Sequence, residues 1–546
     1  MPEPAATTAK TSPVAGGETA APDGPGMDRS DTTAQFKQQL PRNLILQVLS
    51  FVTHIAVGIV LTPYLVRHLG RAAYGLIPIA GVMTQYVSII THSVSSATGR
   101  FLTIALQRND IQDANRVLNT AFFSYMALGL IQVPVFGLVI YYANSLFTIP
   151  PELYHDAIIL LVCSAITFLI GLIAGVFGVP IYANNRLDIS RTIDVAAQIG
   201  RIAGIVVLFV LFGPALRYVG YVSLVIGVST TTVTVLIGKR LAPTLKLNIH
   251  SYDWSQLRQI MGMGGWLLVN YIGFLFFLKM DVWVCNRFIS AEAAGEYAAV
   301  LQWSGLIRQA GMLLSGVIGP MIIIYYARGE VHRLIRLAQV SVRVLCLLLA
   351  IPISILCVFS SSILTLWLGE SFAPLAPLMV IMLCHLTINV GILPVFSIQT
   401  TLNKVKVPAL VSCAMGVLNL AMAISLVKLL GLGLYGVAVA SAIVLTAKNA
   451  LFTPIYAAIV LKQPWHTFMK SSLSGIAFLV GLAGSGYLVN RYFHPQSWGH
   501  LILLAALLGM VGLVAVWFVL PNEDRRLVID LVPGRFRPLA IRLLPV

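Results

Sequence analysis

LGRAAYG, at Leu69–Gly75, has a counterpart in SAEAAGEY, at Ser290–Tyr297, and each segment opens a long apolar stretch of the chain. Subtracting residue numbers gives an offset of 220, which places Gly75 over Gly295. Nearly the same offset relates two further pairs: Asn185–Arg186 with Asn403–Lys404, and Gly213 with Gly431. Single glycines at helix junctions are common, but three anchors at nearly one offset predict a duplicated unit.

The composition predicts the class of protein in which this duplication occurs. Hydrophobic residues make up 58% of the 546-residue chain and charged residues only 10%, which exceeds the apolar content of soluble globular domains. Apolar stretches of about 20 residues, long enough to cross a bilayer, recur between short connections. We therefore predict an all-α polytopic membrane protein with about 14 transmembrane helices.

The repeat divides these helices into two pseudo-symmetric six-helix lobes plus two extra C-terminal helices. An even number of helices per repeat makes the repeats parallel and predicts a substrate site between the lobes, near the midplane. The predicted units are a disordered cytoplasmic tail at 1–42, an N-terminal lobe at 43–240, a cytoplasmic inter-lobe linker at 241–258, a C-terminal lobe at 259–461, helices 13 and 14 at 462–520, and a basic amphipathic cytoplasmic tail at 521–546.

The positive charge indicates orientation in the membrane rather than nucleic-acid binding. The chain holds 36 Lys and Arg against 20 Asp and Glu, and most of these cations fall in the two tails and in alternate short loops. By the positive-inside rule both termini are cytoplasmic. The six cysteines lie within predicted spans without CxxC spacing, so they are interpreted as packing residues, and no cofactor is indicated.

Four cations lie inside predicted spans: Arg201, Lys279, Arg308 and Lys448. A cation at the bilayer centre costs about 2.5 to 3.5 kcal/mol on insertion scales, so these residues predict an internal polar cavity. Lys279 alone could instead extend to the membrane surface, since it lies in the last third of its span. The plausible intramembrane carboxylates are Asp194 and Asp281, so the cavity is expected to be net positive and to bind an anion.

Polar residues at helical spacing predict which faces line this cavity. In the second span Gln85, Ser88 and His92 follow one another at steps of three and four. His54 continues a similar stripe in the first span and Gln198 one in the fifth, while the repeat carries Arg201 onto Asn419 and Arg308 onto Ser88. The alternative is that such side chains only hydrogen-bond between helices. Metal binding by His54 and His92 is not expected, because no third ligand is suitably spaced.

Several segments resemble the polysaccharide transporter family, the Wzx-type flippases of the superfamily that also contains multidrug exporters and MurJ-type lipid II flippases. They are Thr62–Gly75 (TPYLVRHLGRAAYG), Asp281–Tyr297, Ile363–Phe372 (ILTLWLGESF) and Gly433–Ser441 (GLYGVAVAS). The resemblance implies lobes in a V shape, alternating access, and export of a polyprenyl-pyrophosphate-linked oligosaccharide across the bacterial inner membrane. It also implies a cationic lumen and work alongside a polysaccharide polymerase and synthesis complex.

The sequence leaves other functions open. Fourteen spans are typical of MurJ-type proteins, in which the extra pair resembles a groove for the lipid tail, so a lipid II substrate remains an alternative. A multidrug exporter would need carboxylates in the cavity. An enzyme such as a glycan polymerase would need a large outer loop. A non-transporting scaffold would need neither feature. Asp194 and Asp281 are the candidate groups for ion coupling, and the protein is expected to contact membrane lipids and to act as a monomer.

Overall fold

The computed structural model describes residues 29–525 apart from 109, 185, 259–268, 270, 271, 274, 278, 279, 317 and 403. Regular structure in this part of the chain is helical throughout. The helices of the first half are α1 Arg29–Gln107, α2 Ile111–Tyr141, α3 Ala143–Leu146, α4 Tyr154–Ala174, α5 Val179–Ala183, α6 Leu187–Phe212, α7 Leu216–Leu241, α8 Met280–Phe288, α9 Ala291–Gly316 and α10 Gly319–Ala327. Those of the second half are α11 Val331–Val358, α12 Ser360–Leu368, α13 Ala376–Cys384, α14 Leu386–Gly391, α15 Leu393–Thr401, α16 Lys406–Lys428, α17 Gly433–Thr446, α18 Thr453–Val460, α19 Met469–Tyr492 and α20 Trp498–Val519.

Twelve helical segments of the described residues are long and apolar enough to cross a membrane. The first, Leu49–Thr84, contains most of the first predicted span, 43–68, and the beginning of the second, 74–98. Half of the seventh predicted span, 259–288, falls outside the described residues. Long apolar side chains remain exposed on the surface, among them Leu130 at 67% and Val210 at 75%, as expected where lipid rather than water is the solvent. The protein is a multi-pass membrane protein.

The helix α1 is two membrane helices joined at Gly70. This glycine has φ 82° and ψ 168°, a conformation that a residue with a Cβ rarely adopts. The chain therefore reverses within LGRAAYG, between the first and second predicted spans. Gly213 and Gly431, the pair matched by the repeat, also share positive φ, at 81° and 64°.

We refer to 43–240 as the first lobe and 259–461 as the second lobe. Within the first, α4 packs on α7 and α1 on α6, and within the second, α16 packs on α17. The lobes meet where α1 lies against α9. Gly75 and Gly295 touch there: a Cβ on Gly75 would lie 2.7 Å from both the Ala291 carbonyl oxygen and the Gly295 nitrogen.

Polar contacts tighten this junction, which we call the Gly75 joint. Arg71 forms an ion pair with Glu296 and places its guanidinium 4.5 Å from the ring centroid of Phe372. Nearby, the fully buried Asn286 uses both ends of its amide on Thr148, accepting from its N–H at 2.8 Å and donating to its carbonyl at 3.1 Å. One end of the lobe interface is therefore closed by packing and hydrogen bonds.

The two C-terminal membrane helices extend the second lobe. Both α19 and α20 contact α11. Gly475 on α19 faces Cys346 so closely that a Cβ would lie 2.5 Å from the cysteine Cβ. Further along, Asn490 donates to the carbonyl of Val358 at 3.0 Å. Close packing thus accounts for part of the glycine content of α19.

The chain after α20 begins differently from the predicted basic tail. Asp524 has no exposed side-chain surface and lies 2.8 Å from Arg336 Nη2, and it also forms an ion pair with Arg343. These two arginines belong to α11. A carboxylate thus fastens residues 521–525 to α11, whereas 526–546 and 1–28 lie outside the described residues.

Candidate functional site

A cavity of about 580 Å³ lies between the lobes. Its walls come from α1 and α6 of the first lobe and from α9 of the second. Gln309 in its wall is 14 residues along α9 from Gly295, which corresponds to roughly 21 Å at the α-helical rise. The cavity therefore lies well away from the Gly75 joint, toward the other end of the lobe interface.

The polar stripe of α6 faces this cavity. Arg191, Asp194, Gln198 and Arg201 all line it, because steps of three and four residues keep side chains on one helical face. Arg191 Nη1 lies 3.2 Å from Asp194 Oδ2, so this carboxylate is already partnered. Arg201 is exposed to the cavity. The described lining therefore carries two arginines against one aspartate.

Histidine 54 on α1 reaches across the cavity to the second lobe. Its Nε2 lies 3.1 Å from Gln309 Nε2, an amide nitrogen that can only donate, so the imidazole nitrogen accepts. Gln309 was not among the predicted site residues. The sequence held a signal, because Gln302 lies two turns of α9 before Gln309 and so on the same helical face. In the structure Gln302 accepts from Thr62 of the first lobe at 2.6 Å. Gln302 and Gln309 thus mark the face of α9 that contacts α1.

Arginine 308 belongs to a different cavity. Successive residues on a helix are rotated by about 100°, so Arg308 turns away from the face that Gln309 presents to the lobe interface. It lines a cavity of about 20 Å³ inside the second lobe together with Asp281 and His385. This volume is sufficient for about one water molecule.

Asp281 is the acceptor of a buried hydrogen-bond network. It is 5% exposed, and its Oδ2 accepts from Tyr297 Oη and from Ser441 Oγ, each at 2.9 Å. Ser441 Oγ also lies 3.2 Å from Oδ1 of the fully buried Asn419. Three helices, α8, α9 and α17, thus place donors and acceptor together, and α16 adds the amide of Asn419.

Lysine 448 is buried at a third place. It is 8% exposed and lies in the π-helical turn Ala447–Phe452, a distortion that is frequent at functional sites. Its Nζ donates to Asn449 Oδ1 at 3.4 Å and lies 5.1 Å and 5.9 Å from the ring centroids of Phe396 and Phe277. Amide oxygen and aromatic faces surround this cation, within cation–π distance.

The structure therefore does not gather the predicted cations in one lumen. Arg201 lines the cavity between the lobes with His54, Gln198 and Asp194. Arg308, Asp281 and Asn419 lie within the second lobe, and Lys448 packs separately there. Outside the described residues are Lys279 and the side chains of Gln85, Ser88 and His92, so their predicted roles remain predictions. In the described part of the chain no group of three or more His, Cys, Asp or Glu is arranged to hold a metal ion.

Comparisons with known proteins agree with this architecture. Residues 64–377 match the model of a family described as polysaccharide biosynthesis protein. The chain is 28% identical to an uncharacterized membrane protein, EpsK, of Bacillus subtilis (strain 168) over 497 residues, 91% of this chain and 97% of that protein.

Two solved structures share the fold at low identity. One is the lipid II flippase MurJ in an inward closed conformation, with a TM-score of 0.61, 14% identity and coverage of 87% of this chain and 98% of that one. The other is a multidrug resistance transporter of the MATE family in an inward-facing conformation, with a TM-score of 0.54, 12% identity and coverage of 80% and 95%. At such identities the likeness shows the fold alone.

Proposed function

Since the chain belongs to the polysaccharide biosynthesis protein family, we propose that it is a flippase. It would move a polyprenyl-pyrophosphate-linked oligosaccharide from the cytoplasmic to the outer leaflet of the bacterial inner membrane. The observation that carries this proposal is the 580 Å³ cavity between the lobes, with Arg201 exposed in its wall and a net positive described lining.

The charge of the cavity favours an anionic headgroup over a cationic drug. Asp194 is paired with Arg191 at 3.2 Å, which leaves the guanidinium of Arg201 as the charge available to a ligand. Arginine can donate two parallel hydrogen bonds to a phosphate. In this proposal the pyrophosphate binds at Arg201, His54 and Gln198 contact the glycan, and the polyprenyl tail remains in lipid between the lobes.

Translocation would require the two ends of the lobe interface to open in turn. In this structure the Gly75 joint is closed and the cavity lies toward the other end, which by the positive-inside rule is cytoplasmic. Rocking of the lobes would open the joint and expose the headgroup to the outer side. A membrane potential negative inside assists this step by about 2.3 kcal/mol for each negative charge moved across 100 mV.

Asp281 is the better placed of the two candidates for ion coupling. Asp194 is half exposed and held in a one-turn ion pair, whereas Asp281 is buried and joins three helices of the second lobe through hydrogen bonds. Loading this carboxylate with a proton or a cation would remove a buried charge and alter the packing of α8 against α9 and α17. A change in charge at this position can therefore bias the arrangement of the lobe.

The test is transbilayer movement in proteoliposomes. A labelled polyprenyl-pyrophosphate oligosaccharide is followed with wild type, Arg201→Ala and Arg201→Lys. Loss of a charge-assisted hydrogen bond predicts flipping roughly ten- to a hundredfold slower in the alanine variant, with partial recovery in the lysine variant. Arg240→Ala, which removes an exposed arginine of α7 outside the cavity, is the matched control and should flip at the wild-type rate.

The outcomes separate the activity from its mechanism. If wild type moves no lipid-linked oligosaccharide under any imposed gradient, the flippase proposal fails. If it moves lipid II in preference, the substrate belongs to peptidoglycan synthesis instead. Equal rates for Arg201→Ala and Arg240→Ala would leave the flippase intact and remove the cavity cation from its mechanism.

A further inference from the structure

The linker between the lobes is fastened along α2 of the first lobe. Asn115 Oδ1 accepts from the backbone N–H of Lys246 at 2.7 Å, and Asn119 one turn later accepts from the N–H of Asn248 at 2.7 Å and donates to the carbonyl of Lys246 at 2.8 Å. Thr120 Oγ1 accepts from the N–H of Asp253 at 3.0 Å. Side chains at one face of α2 thus bind the backbone of the linker through several hydrogen bonds. We call this attached stretch of the linker, from Lys246 to Asp253, the rim of α2.

This rim carries two adjoining cavities of different character. A polar one of about 880 Å³ is lined by Arg116, Lys246 and Asn115. An apolar one of about 1210 Å³ runs along α2 from Phe123 to Ile131. His250, Tyr252 and Trp254 belong to the walls of both, so the two spaces adjoin along these side chains. A polar end joined to an apolar groove on a membrane-facing helix has the shape of a site for an amphiphile.

The charges of the polar end favour an anion. Among the described residues, no salt bridge engages Arg116 or Lys246, and both are exposed. The nearby Asp253 supplies the opposing charge, since the N–H of Ser255 lowers the pKa of its carboxyl below the ordinary value. Two cations against one carboxylate leave the polar end net positive.

We propose that this site binds an anionic phospholipid of the adjacent leaflet. Its phosphate lies between Arg116 and Lys246, and one acyl chain lies along α2 between Phe123 and Ile131. Trp254, 71% exposed, then occupies the headgroup level, where tryptophan is enriched in membrane proteins. No residue in the described part of the chain lines both this site and the cavity between the lobes, which favours a resident lipid over the transported one.

A lipid in this position contacts α2 and the linker together and so strengthens their attachment. The linker would then move with the first lobe, and any lobe rocking would be confined to the chain that follows it. Dependence of transport on anionic lipid rests on the proposed function, whereas the binding itself does not.

The binding is measured with full-length protein in nanodiscs that contain acyl-brominated phosphatidylglycerol or acyl-brominated phosphatidylcholine. Bromine quenches nearby tryptophan, and the difference between wild type and Trp254→Phe isolates the signal of Trp254. A titration of the anionic lipid into the zwitterionic one should show a preference of roughly tenfold, since each basic residue contributes about a factor of five and Asp253 offsets part of it.

The double variant Arg116→Gln/Lys246→Gln should lose this preference. Its matched control is Arg240→Gln/Lys470→Gln, which removes the same charges from exposed positions outside both cavities and should retain it. Thermal unfolding of each variant establishes that it is folded. Equal quenching by the two lipids, or an unchanged preference in the Arg116/Lys246 variant, would overturn the proposal. Stronger competition by a polyprenyl-pyrophosphate oligosaccharide than by phosphatidylglycerol would also overturn it, because the site would then receive the transported lipid.

Discussion

Gly75→Ala should open the contact between the lobes at the Gly75 joint. The added Cβ would lie 2.7 Å from two backbone atoms of α9, about 0.7 Å inside the 3.4 Å of ordinary contact. Backbone atoms of a helix cannot rotate away as a flexible side chain can, so the lobes must separate by several tenths of an ångström. Overpacking of this kind costs about 1 to 3 kcal/mol. The cost falls only on the state in which the joint is closed, so the population should shift toward the open joint by roughly 5- to 150-fold.

Spin labels placed at Tyr141 and Leu429, exposed near the joint on the two lobes, measure this shift as a distance distribution. The variant should populate a longer distance, and its midpoint of thermal unfolding should fall by a few degrees. Gly305→Ala on α9 is the control, because a Cβ there meets no atom of the described residues within 4 Å, and it should leave the distances unchanged. Wild-type distances and unfolding in Gly75→Ala would show that the joint does not close as the packing implies.

Two further substitutions test other parts of the molecule. Asp281→Asn removes the charge but keeps an acceptor for Tyr297, so we expect a folded protein whose flipping no longer responds to an imposed pH or cation gradient; an unchanged response, measured in proteoliposomes, would exclude Asp281 from coupling. Asp524→Asn should destabilise the protein by about 1 to 3 kcal/mol in chemical unfolding, because it removes the charge of the fully buried carboxylate that accepts from the partly buried Arg336 and Arg343. Glu523→Gln should cost less than about 1 kcal/mol, since Glu523 is 83% exposed, and equal losses in the two variants would contradict the assigned burial.

The polar stripe of α6 could be predicted from the sequence because it obeys helical spacing. Arg191, Asp194, Gln198 and Arg201 lie three or four residues apart, and the structure places all four in one cavity. The membrane helices could also be predicted from the sequence, since each span is a long apolar run. The turn at Gly70 required only the recognition that a glycine separates two such runs.

The position of Arg308 could not be predicted from helical spacing. It is adjacent to Gln309, and a rotation of about 100° between them decides which residue faces the other lobe. Which of the two residues faces the other lobe depends on how α9 packs against α1. The contact of Gly75 with Gly295, more than three turns away along α9, sets this packing. Lys448 is a second example, because the π-helical turn at Ala447–Phe452 changes the register of side chains that a regular helix would predict.

Two features were missed because their partners are far apart in sequence. Asn115 and Asn119 are one turn apart on α2, but the backbone groups that they bind, at Lys246 and Asn248, lie in the linker more than 120 residues later. The ion pairs of Asp524 were not predicted, because the basic composition of the segment around it indicated only a basic tail.

The two lobes matched by the repeat carry different polar groups. Residues related by a pseudo-twofold axis touch each other only near that axis, and Gly75 and Gly295 do so; the axis therefore passes close to the joint. Away from the joint the lobes have diverged, since the repeat lays Arg201 of the first on Asn419 of the second. Asn419 belongs to the Asp281 network, and the offset of 220 that matches Gly75 with Gly295 places Asp281 over the apolar Leu61. Under the proposed function the first lobe thus carries the cation for the headgroup and the second carries the buried carboxylate, so ion loading in one lobe would act on substrate bound against the other through their shared contacts, which include the packing of α1 on α9.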